Sequence, residues 1–305
     1  KEYPIEILFC DSCITAHQRY PVPREILFPT NYHYRAHVTG SVLEGMCDLV
    51  DGCCERYGNL TGKLVLDIGC NDGSLLDFFN EKGCRTVGIE PTDAAKEAAK
   101  RHTVIQGFFD VETAKKCFSS FGYADMITFT NVFAHIGDLP RLIDNLKSIM
   151  SERTVLIIES HYLGDILDRG QFDTFYHEHP RSYSFNSFLK VAELLGKNVI
   201  DVELVSRYGG NIRVHICSRG KLQSSLEEIN FIEKFSQMTY EIAIWQEKTR
   251  QMVLEHVSEL GPIAAKAFPG RAAILVKLLG LSERHISAVY EIKGSIKTGH
   301  YVPGT

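Results

Sequence analysis

Residues 64–76, Leu64-Val65-Leu66-Asp67-Ile68-Gly69-Cys70-Asn71-Asp72-Gly73-Ser74-Leu75-Leu76, restrict the fold more than any other stretch of this chain. An apolar, β-rich run ends at an acid, a loop carrying Gly69 and Gly73 follows, and Leu75, Leu76, Phe78 and Phe79 then recur at helical spacing. The order is strand, glycine loop, helix. Glycines let the backbone reverse and approach a ligand closely, while the free N–H groups of a helix start attract a polar or anionic group. An element of this kind suits a nucleotide-like ligand. Its spacing, Asp-x-Gly-x-x-x-Gly, departs from the Gly-x-Gly-x-x-Gly of dinucleotide folds because Asn71 stands in place of the middle glycine. A side chain then fills space that a pyrophosphate needs.

A second strand, Cys84-Arg85-Thr86-Val87-Gly88-Ile89-Glu90, ends in a carboxylate before Pro91. In doubly wound sheets an acid at the end of strand two takes the ribose hydroxyls of a bound nucleoside, and ligands sit outside the carboxyl ends of the strands. The plainer alternative is that Glu90 caps the helix that follows. From Lys63 to Ser160 strands alternate with helices, which predicts a parallel sheet covered on both faces. Strands are expected at 63–68, 85–90, 103–107, 124–131 and 153–160, and helices near 73–82, 92–101, 111–117 and 138–150. After strand three, Phe109 and Asp110 are placed to sandwich and hydrogen-bond an adenine; after strand four, Asn131 and His135 lie near the reacting group. The alternatives are that Phe108 and Phe109 are core and that His135 merely ends a helix.

The chain has 305 residues, 44% of them hydrophobic, enough for two domains or one enlarged domain. Its net charge of −5 gives no basic footprint, so nucleic acid is not an expected partner. No membrane-spanning run or signal peptide is read, and a cytosolic protein is the expectation. Oligomeric state is left open. Most of the nine cysteines sit in apolar contexts and read as reduced, buried thiols. Cys10-Asp11-Ser12-Cys13 is different, because a Cys-x-x-Cys knuckle offers two of the four thiolates a structural Zn²⁺ needs. An ordinary or disulfide-forming pair is the alternative.

Residues 1–40 lack periodicity and read as a small irregular domain whose Tyr32, His33, Tyr34 and His37 suit the wall of a polar cleft. A helix runs from Ser41 to about Tyr57. Beyond strand five lies Tyr176-His177-Glu178-His179-Pro180, in which i, i+2 histidines do not share a helix face and no His-Glu-x-x-His spacing exists. General acid–base work fits it better, since imidazole beside a carboxylate is tuned across neutral pH. A helix at Phe185–Gly196 and a strand pair at Val199–Arg207 and Asn211–Ser218 follow. Leu222–Leu260 reads as one long amphipathic helix. The tail reads as helix from Ala264 to Leu281, then strand over Ile286–Glu291, stopping at Tyr301–Thr305 without a closing helix. The resulting division is 1–40, 41–220 and 221–305.

The glycine-loop motif resembles motif one of class I S-adenosylmethionine-dependent methyltransferases. Taken with Cys10–Cys13, Tyr32-His33-Tyr34, Asn131 with His135, Tyr162-Leu163-Gly164-Asp165, Tyr176-His177-Glu178-His179, Gly209-Gly210 and Ala264-Ala265-Lys266, nearly the whole chain resembles the sugar C-methyltransferases acting on nucleotide-linked keto-deoxysugars. The resemblance implies an α/β fold with a Rossmann-like central sheet, a small zinc-type N-terminal domain and a second C-terminal α/β unit. It implies S-adenosylmethionine held by Asp67, Gly69, Asn71, Gly73, Glu90, Phe109, Asp110 and Asn131. It implies zinc on Cys10 and Cys13, with the other knuckle expected upstream. His179 is the expected base, Glu178 tunes it, Tyr176, Tyr32 or Tyr34 relay the proton or hold the sugar, and His135 polarises the ketone. Two features depart from the family: the glycine turn before Ala264 is eroded to Leu260-Gly261-Pro262-Ile263, and Phe268-Pro269-Gly270-Arg271 reads as an insertion. O- or N-methyl transfer to another metabolite, nicotinamide-dependent redox chemistry and a non-catalytic binding module stay open as alternatives.

Overall fold

In the computed structural model, which describes residues 3–222, 225–266, 271–291, 293, 298 and 299, alternation of strand and helix dominates. Two short strands, β1 (Ile7–Cys10) and β2 (Thr15–Gln18), flank the Cys10–Cys13 turn and precede the one-turn α1 (Arg24–Leu27) and the long α2 (Gly40–Tyr57). The repeating part comprises β3 (Leu64–Ile68), α3 (Ser74–Glu81), β4 (Arg85–Glu90), α4 (Ala94–Ala98), β5 (Thr103–Gln106), α5 (Val111–Phe121), β6 (Met126–Thr130), α6 (Leu139–Ile149) and β7 (Val155–His161). Next come α7 (Leu163–Asp168), β8 (Arg181–Tyr183), α8 (Phe185–Leu195), β9 (Asn198–Val205) and β10 (Asn211–Cys217).

The seven-stranded sheet has the order β5-β4-β3-β6-β7-β10-β9. β3 to β7 are parallel, and β10 runs antiparallel to both neighbours. Each strand sorts its side chains by parity. Leu66, Ile127, Phe129, Leu156 and Ile158 enter one core with Phe133, Leu146 and Phe188. Val65, Met126, Val155 and Ile157 enter the other with Leu49, Leu76 and Phe79. This two-sided burial is why the strands read as continuous apolar runs. The chain moves from β3 outward to β5, then returns to β6, so the order reverses between β3 and β6. Crevices form at such switch points.

Caps fix the helix starts. Asp110 and Thr113 form a reciprocal capping box on α5, and Ser184 and Ser187 do so on α8. Glu228 adds a second clamp to α8, its two carboxylate oxygens accepting from the Phe185 and Asn186 N–H groups at 2.7 and 2.8 Å. That capture explains one difference from the sequence reading. The long helix begins at Phe231 and not at Leu222, with Glu228 ahead of it committed to α8.

Residues 1–40 also differ from expectation. They contain a hairpin, and β8 joins it as a third antiparallel strand, with Thr15 opposite Tyr183 and His17 opposite Arg181. Four-residue strands carry too little alternation to announce themselves in sequence.

The chain divides into two compact units, residues 1–165 with 177–228, and residues 166–176 with 229–305. The second contains α9 (Phe231–Leu260), β11 (Ile263–Lys266), α10 (Ala272–Leu279) and β12 (Ile286–Tyr290). β11 and β12 pair in parallel, and Val276, Leu279 and Leu281 pack with Trp245, Val253 and Ile286. Ala264–Lys266, expected to begin a helix, is strand. Phe268-Pro269-Gly270 and Tyr301–Thr305 lie outside the described residues.

Candidate active site

The glycine loop and the loop after β6 meet at the switch point. A β-carbon on Gly69 would lie 2.5 Å from Val132 Cγ2, and Gly69 has φ +75°, so both space and backbone demand glycine. Asn71 also lies in the left-handed region, at φ 50°. Its side chain faces residues 34–36. The amide oxygen accepts from the Ala36 N–H at 3.0 Å, and the amide nitrogen donates to the Tyr34 carbonyl at 3.1 Å. Asp72 repeats the pattern, accepting from the His37 N–H and meeting His37 Nδ1 at 2.7 Å. Residues 34–37 are thereby laced to the loop. Gly73 gives α3 a left-handed N-cap at φ 86°.

Glu90 is 5% exposed at the end of β4. One oxygen accepts from the Asn71 N–H at 3.0 Å; the other accepts from the Thr92 N–H at 2.9 Å and the Thr92 hydroxyl at 2.6 Å. Glu90 therefore caps the next turn and also ties β4 to the glycine loop. Asp67 sits on the α2–α3 face opposite Thr128, whose hydroxyl donates to it at 2.7 Å. Burial, with a smaller push from the Glu90 charge, raises the Asp67 carboxyl to about 7. A carboxyl raised in this way holds a proton that the unfolded chain has released. Stability is thus undiminished below about pH 4, falls as pH rises toward 7 and levels off above it. Asp67→Asn retains an acceptor for Thr128 and removes that fall. Its melting temperature is expected to exceed that of the unsubstituted chain at pH 8 and to match it at pH 4; a pH-independent difference would contradict this assignment.

Phe109 is buried in the main core, edge-on to Phe129 at 6.4 Å, and Asp110 is engaged in its capping box. The half-buried aromatic here is Phe108, with the Arg24 guanidinium 4.3 Å over its ring. Asn131 has φ 56° and donates its backbone N–H to the Glu159 carbonyl at 2.8 Å.

Three histidines from separate segments cluster beside these loops. The His135 and His179 rings are 5.2 Å apart at 27°, and His161 and His179 are 4.8 Å apart. Phe28 covers the other side of His135 at 5.0 Å, nearly parallel. Burial, with the neighbouring His161 adding to it, pushes His135 down to about 3, so its ring is neutral throughout the physiological range. His179 is 5% exposed and its carbonyl accepts from Gln18 Nε2 at 3.3 Å. The Tyr32 hydroxyl donates to Glu178 Oε2 at 3.0 Å. Tyr34 and Tyr208 meet through their hydroxyls at 3.3 Å, and Tyr208 lies 5.6 Å from His161. His177 turns elsewhere, its Nε2 lying 2.9 Å from the Tyr3 carbonyl. Tyr176 belongs to the second unit, where its N–H donates to the Thr174 carbonyl.

The sequence reading gave no role to His161 or Tyr208. His161 is the last residue of β7, and strand ends are where such a sheet collects ligand groups, so its position was a usable signal. Behind it lies a buried ion network. Glu159 is fully buried and pairs with both Arg207 and Arg213, the latter at 2.8 Å, while Asn211 donates to Glu159 at 3.1 Å and to Asn131 at 3.0 Å.

At the other end of this unit, the Cys10 thiol is lowered by hydrogen bonds from the Cys13 backbone and side chain, as a metal knuckle requires. Yet among the described residues no third metal-ligating group accompanies Cys10 and Cys13. Two thiolates are half a tetrahedral set, so the residues present do not complete a zinc site.

Residues 34–202 match the profile of a methyltransferase domain. Over 99% of its length the chain is 26% identical to the C-methyltransferase NovU of Streptomyces niveus, of which it spans 75%. It is 27% identical over 168 residues to the ubiquinone biosynthesis O-methyltransferase of Actinobacillus pleuropneumoniae, covering 46% of this chain and 65% of that one. Among solved structures it is similar to magnesium protoporphyrin IX methyltransferase from Synechocystis, at 17% identity and a TM-score of 0.45, covering 57% and 82% of the two chains. With the family profile spanning more than half its residues and its parallel sheet ending in the Asp67 loop and Glu90, the chain belongs to the methyltransferase domain family and is an S-adenosylmethionine-dependent methyltransferase of class I.

Proposed function

We propose that this enzyme transfers a methyl group to a carbon adjacent to a ketone of a nucleotide-linked keto-deoxysugar. The observation that carries the reading is the cluster of His135, His179 and His161 with Glu178 held by Tyr32. Carbon is not nucleophilic until a proton leaves it, and a buried imidazole beside a carboxylate is suited to that removal. Similarity to a C-methyltransferase over nearly the whole chain supports it.

The residues at the switch point fit the donor. Thr130 Oγ1 and Ser160 Oγ, near the ends of β6 and β7, are buried without a protein hydrogen-bond partner, and Glu90, whose oxygens also accept from Asn71 and Thr92, is the carboxylate this reading gives to the ribose hydroxyls. Bound S-adenosylmethionine supplies an electrophilic methyl group on a sulfonium. Glu90, the loop 69–73 and Asn131 would hold it. His179 removes the α-proton, with Glu178 orienting the ring. His135, being neutral, donates one N–H to the keto oxygen and stabilises the developing enolate without giving up a proton. Tyr32 and Tyr34 hold the sugar or relay the proton.

Calorimetry with S-adenosylhomocysteine, with NAD as control, tests the donor. Saturable one-to-one binding is expected, weakened about tenfold or more in Glu90→Ala, as loss of charge-assisted hydrogen bonds implies. Preference for NAD would remove the reading. Incubation with a keto-deoxysugar nucleotide in D₂O tests the acceptor, with α-carbon deuterium exchange and a C-methylated product expected. The similarity to an O-methyltransferase raises the rival of oxygen methylation, which predicts an ether product and no exchange.

A further inference from the structure

The outer edge of the large sheet carries side chains that methyl transfer does not use. Asp201 and Glu203 are two residues apart on β9 and so face the same side, the face covered by α2. β10 sets His215 opposite Asp201 and Arg213 opposite Glu203. One oxygen of each carboxylate and one imidazole nitrogen all lie within 4.8 Å of one another. Acids so placed are common and carry nothing alone. The decisive group is His215, which is 1% exposed. The Tyr57 hydroxyl engages its Nδ1 at 2.8 Å, whereas Nε2 has no hydrogen-bond partner and stands 4.0 Å from Glu203 Oε1. A ring fixed by a hydrogen bond at one nitrogen, with the other directed toward carboxylates, is held as metal-ligating histidines are.

We propose that Asp201, Glu203 and His215 form a binding site for a divalent transition-metal cation of the Mn²⁺ or Zn²⁺ type. One imidazole with two carboxylates favours such ions over Mg²⁺ or Ca²⁺, which take oxygen ligands alone. Ligand atoms at about 2.0–2.2 Å from an ion lie about 3.4 Å apart, so small rotamer shifts close the set. Burial and the nearby Arg56 and Arg213 charges hold His215 neutral, down to about 3, leaving a nitrogen lone pair available for coordination.

The same arginines are the cation's competitors. Arg56 pairs with Asp201 at 2.5 Å and is 36% exposed, so it has room to swing into solvent; Arg213 pairs with Glu203 at 2.8 Å but is also anchored by Glu159. Binding therefore displaces Arg56 and leaves Arg213 in place. The bound ion would clamp the edge strand β9 to β10.

The test is a Mn²⁺ titration of the full chain followed by loss of the free-ion EPR signal. Mn²⁺ is used because it is a poor partner for the thiolates of Cys10 and Cys13. One saturable site is expected. Asp201→Asn and Glu203→Gln each weaken it about tenfold or more. Arg56→Ala tightens it about two- to fivefold, since removing the competitor frees the carboxylate from a partly exposed ion pair. If Arg56 exists only to neutralise Asp201, Arg56→Ala binds no better and the proposal fails. It fails equally if no saturable site exists up to about 1 mM Mn²⁺ or if Asp201→Asn leaves the affinity unchanged.

Discussion

His179→Asn is expected to lower methyl transfer by about 10²–10⁴-fold, the usual contribution of a positioned base. The substitution keeps a polar side chain of similar reach between the His135 and His161 rings, and the backbone contact with Gln18 does not depend on the imidazole. The fold and the donor site around Glu90 and Asn71 are thus undisturbed, and affinity for S-adenosylhomocysteine stays within about twofold. Deuterium exchange at the substrate α-carbon distinguishes proton removal from methyl transfer. Loss of exchange together with loss of turnover identifies His179 as the base. Normal exchange with lost transfer would move the base elsewhere, with His161, tilted against the same ring, as the next residue to replace.

Glu159→Gln is expected to destabilise the fold by about 3–5 kcal/mol, the cost of breaking a buried ion pair from one side. The carboxylate is completely buried and answers two guanidinium groups, Arg207 and Arg213, that are themselves 9% and 4% exposed. A neutral amide leaves Arg207 without a counter-charge in an apolar surrounding. Glu203→Gln is the control. It also faces Arg213 but is 42% exposed, and water screening limits its cost to below about 1 kcal/mol. Urea denaturation of both variants measures the difference. Equal losses would mean that the Glu159 network is solvated and does not hold the strand ends. Because Asn211 links Glu159 to Asn131, Glu159→Gln should also weaken donor binding beyond what stability explains.

Much of the central sheet was legible because its signals are local. Strand ends, glycine turns and apolar parity over residues 63–160 follow from side-chain size and backbone freedom, and the strand ends observed lie within two residues of those read. His135 and His179 were singled out separately from their neighbours in sequence, but their stacking was not readable, since it depends on packing between segments. Phe108 and Phe109 show the limit from the other side. Adjacent aromatics after Gly107 have no periodicity, so sequence does not tell which one enters the core. Asn71 is legible in sequence as a side chain in place of the middle glycine, while its engagement with the backbone of residues 34–36 requires a partner about 35 residues away. The Asp201, Glu203 and His215 group was invisible for the same reason, because its members meet only through strand register.

The third strand of the small sheet has a consequence for biosynthesis. β2 pairs with β8 across about 165 residues of chain. At typical translation speeds, roughly 5–20 residues per second, the hairpin leaves the ribosome about ten to thirty seconds before its partner exists. During that interval the β2 edge has no strand to receive its hydrogen bonds, and the Thr15 and Gln18 side chains lack Ser187 and the His179 carbonyl. The hairpin is therefore among the last parts of this unit to be secured, although it is made before the large sheet. Assembly of the histidine cluster, whose His179 lies two residues before β8, waits on the same event.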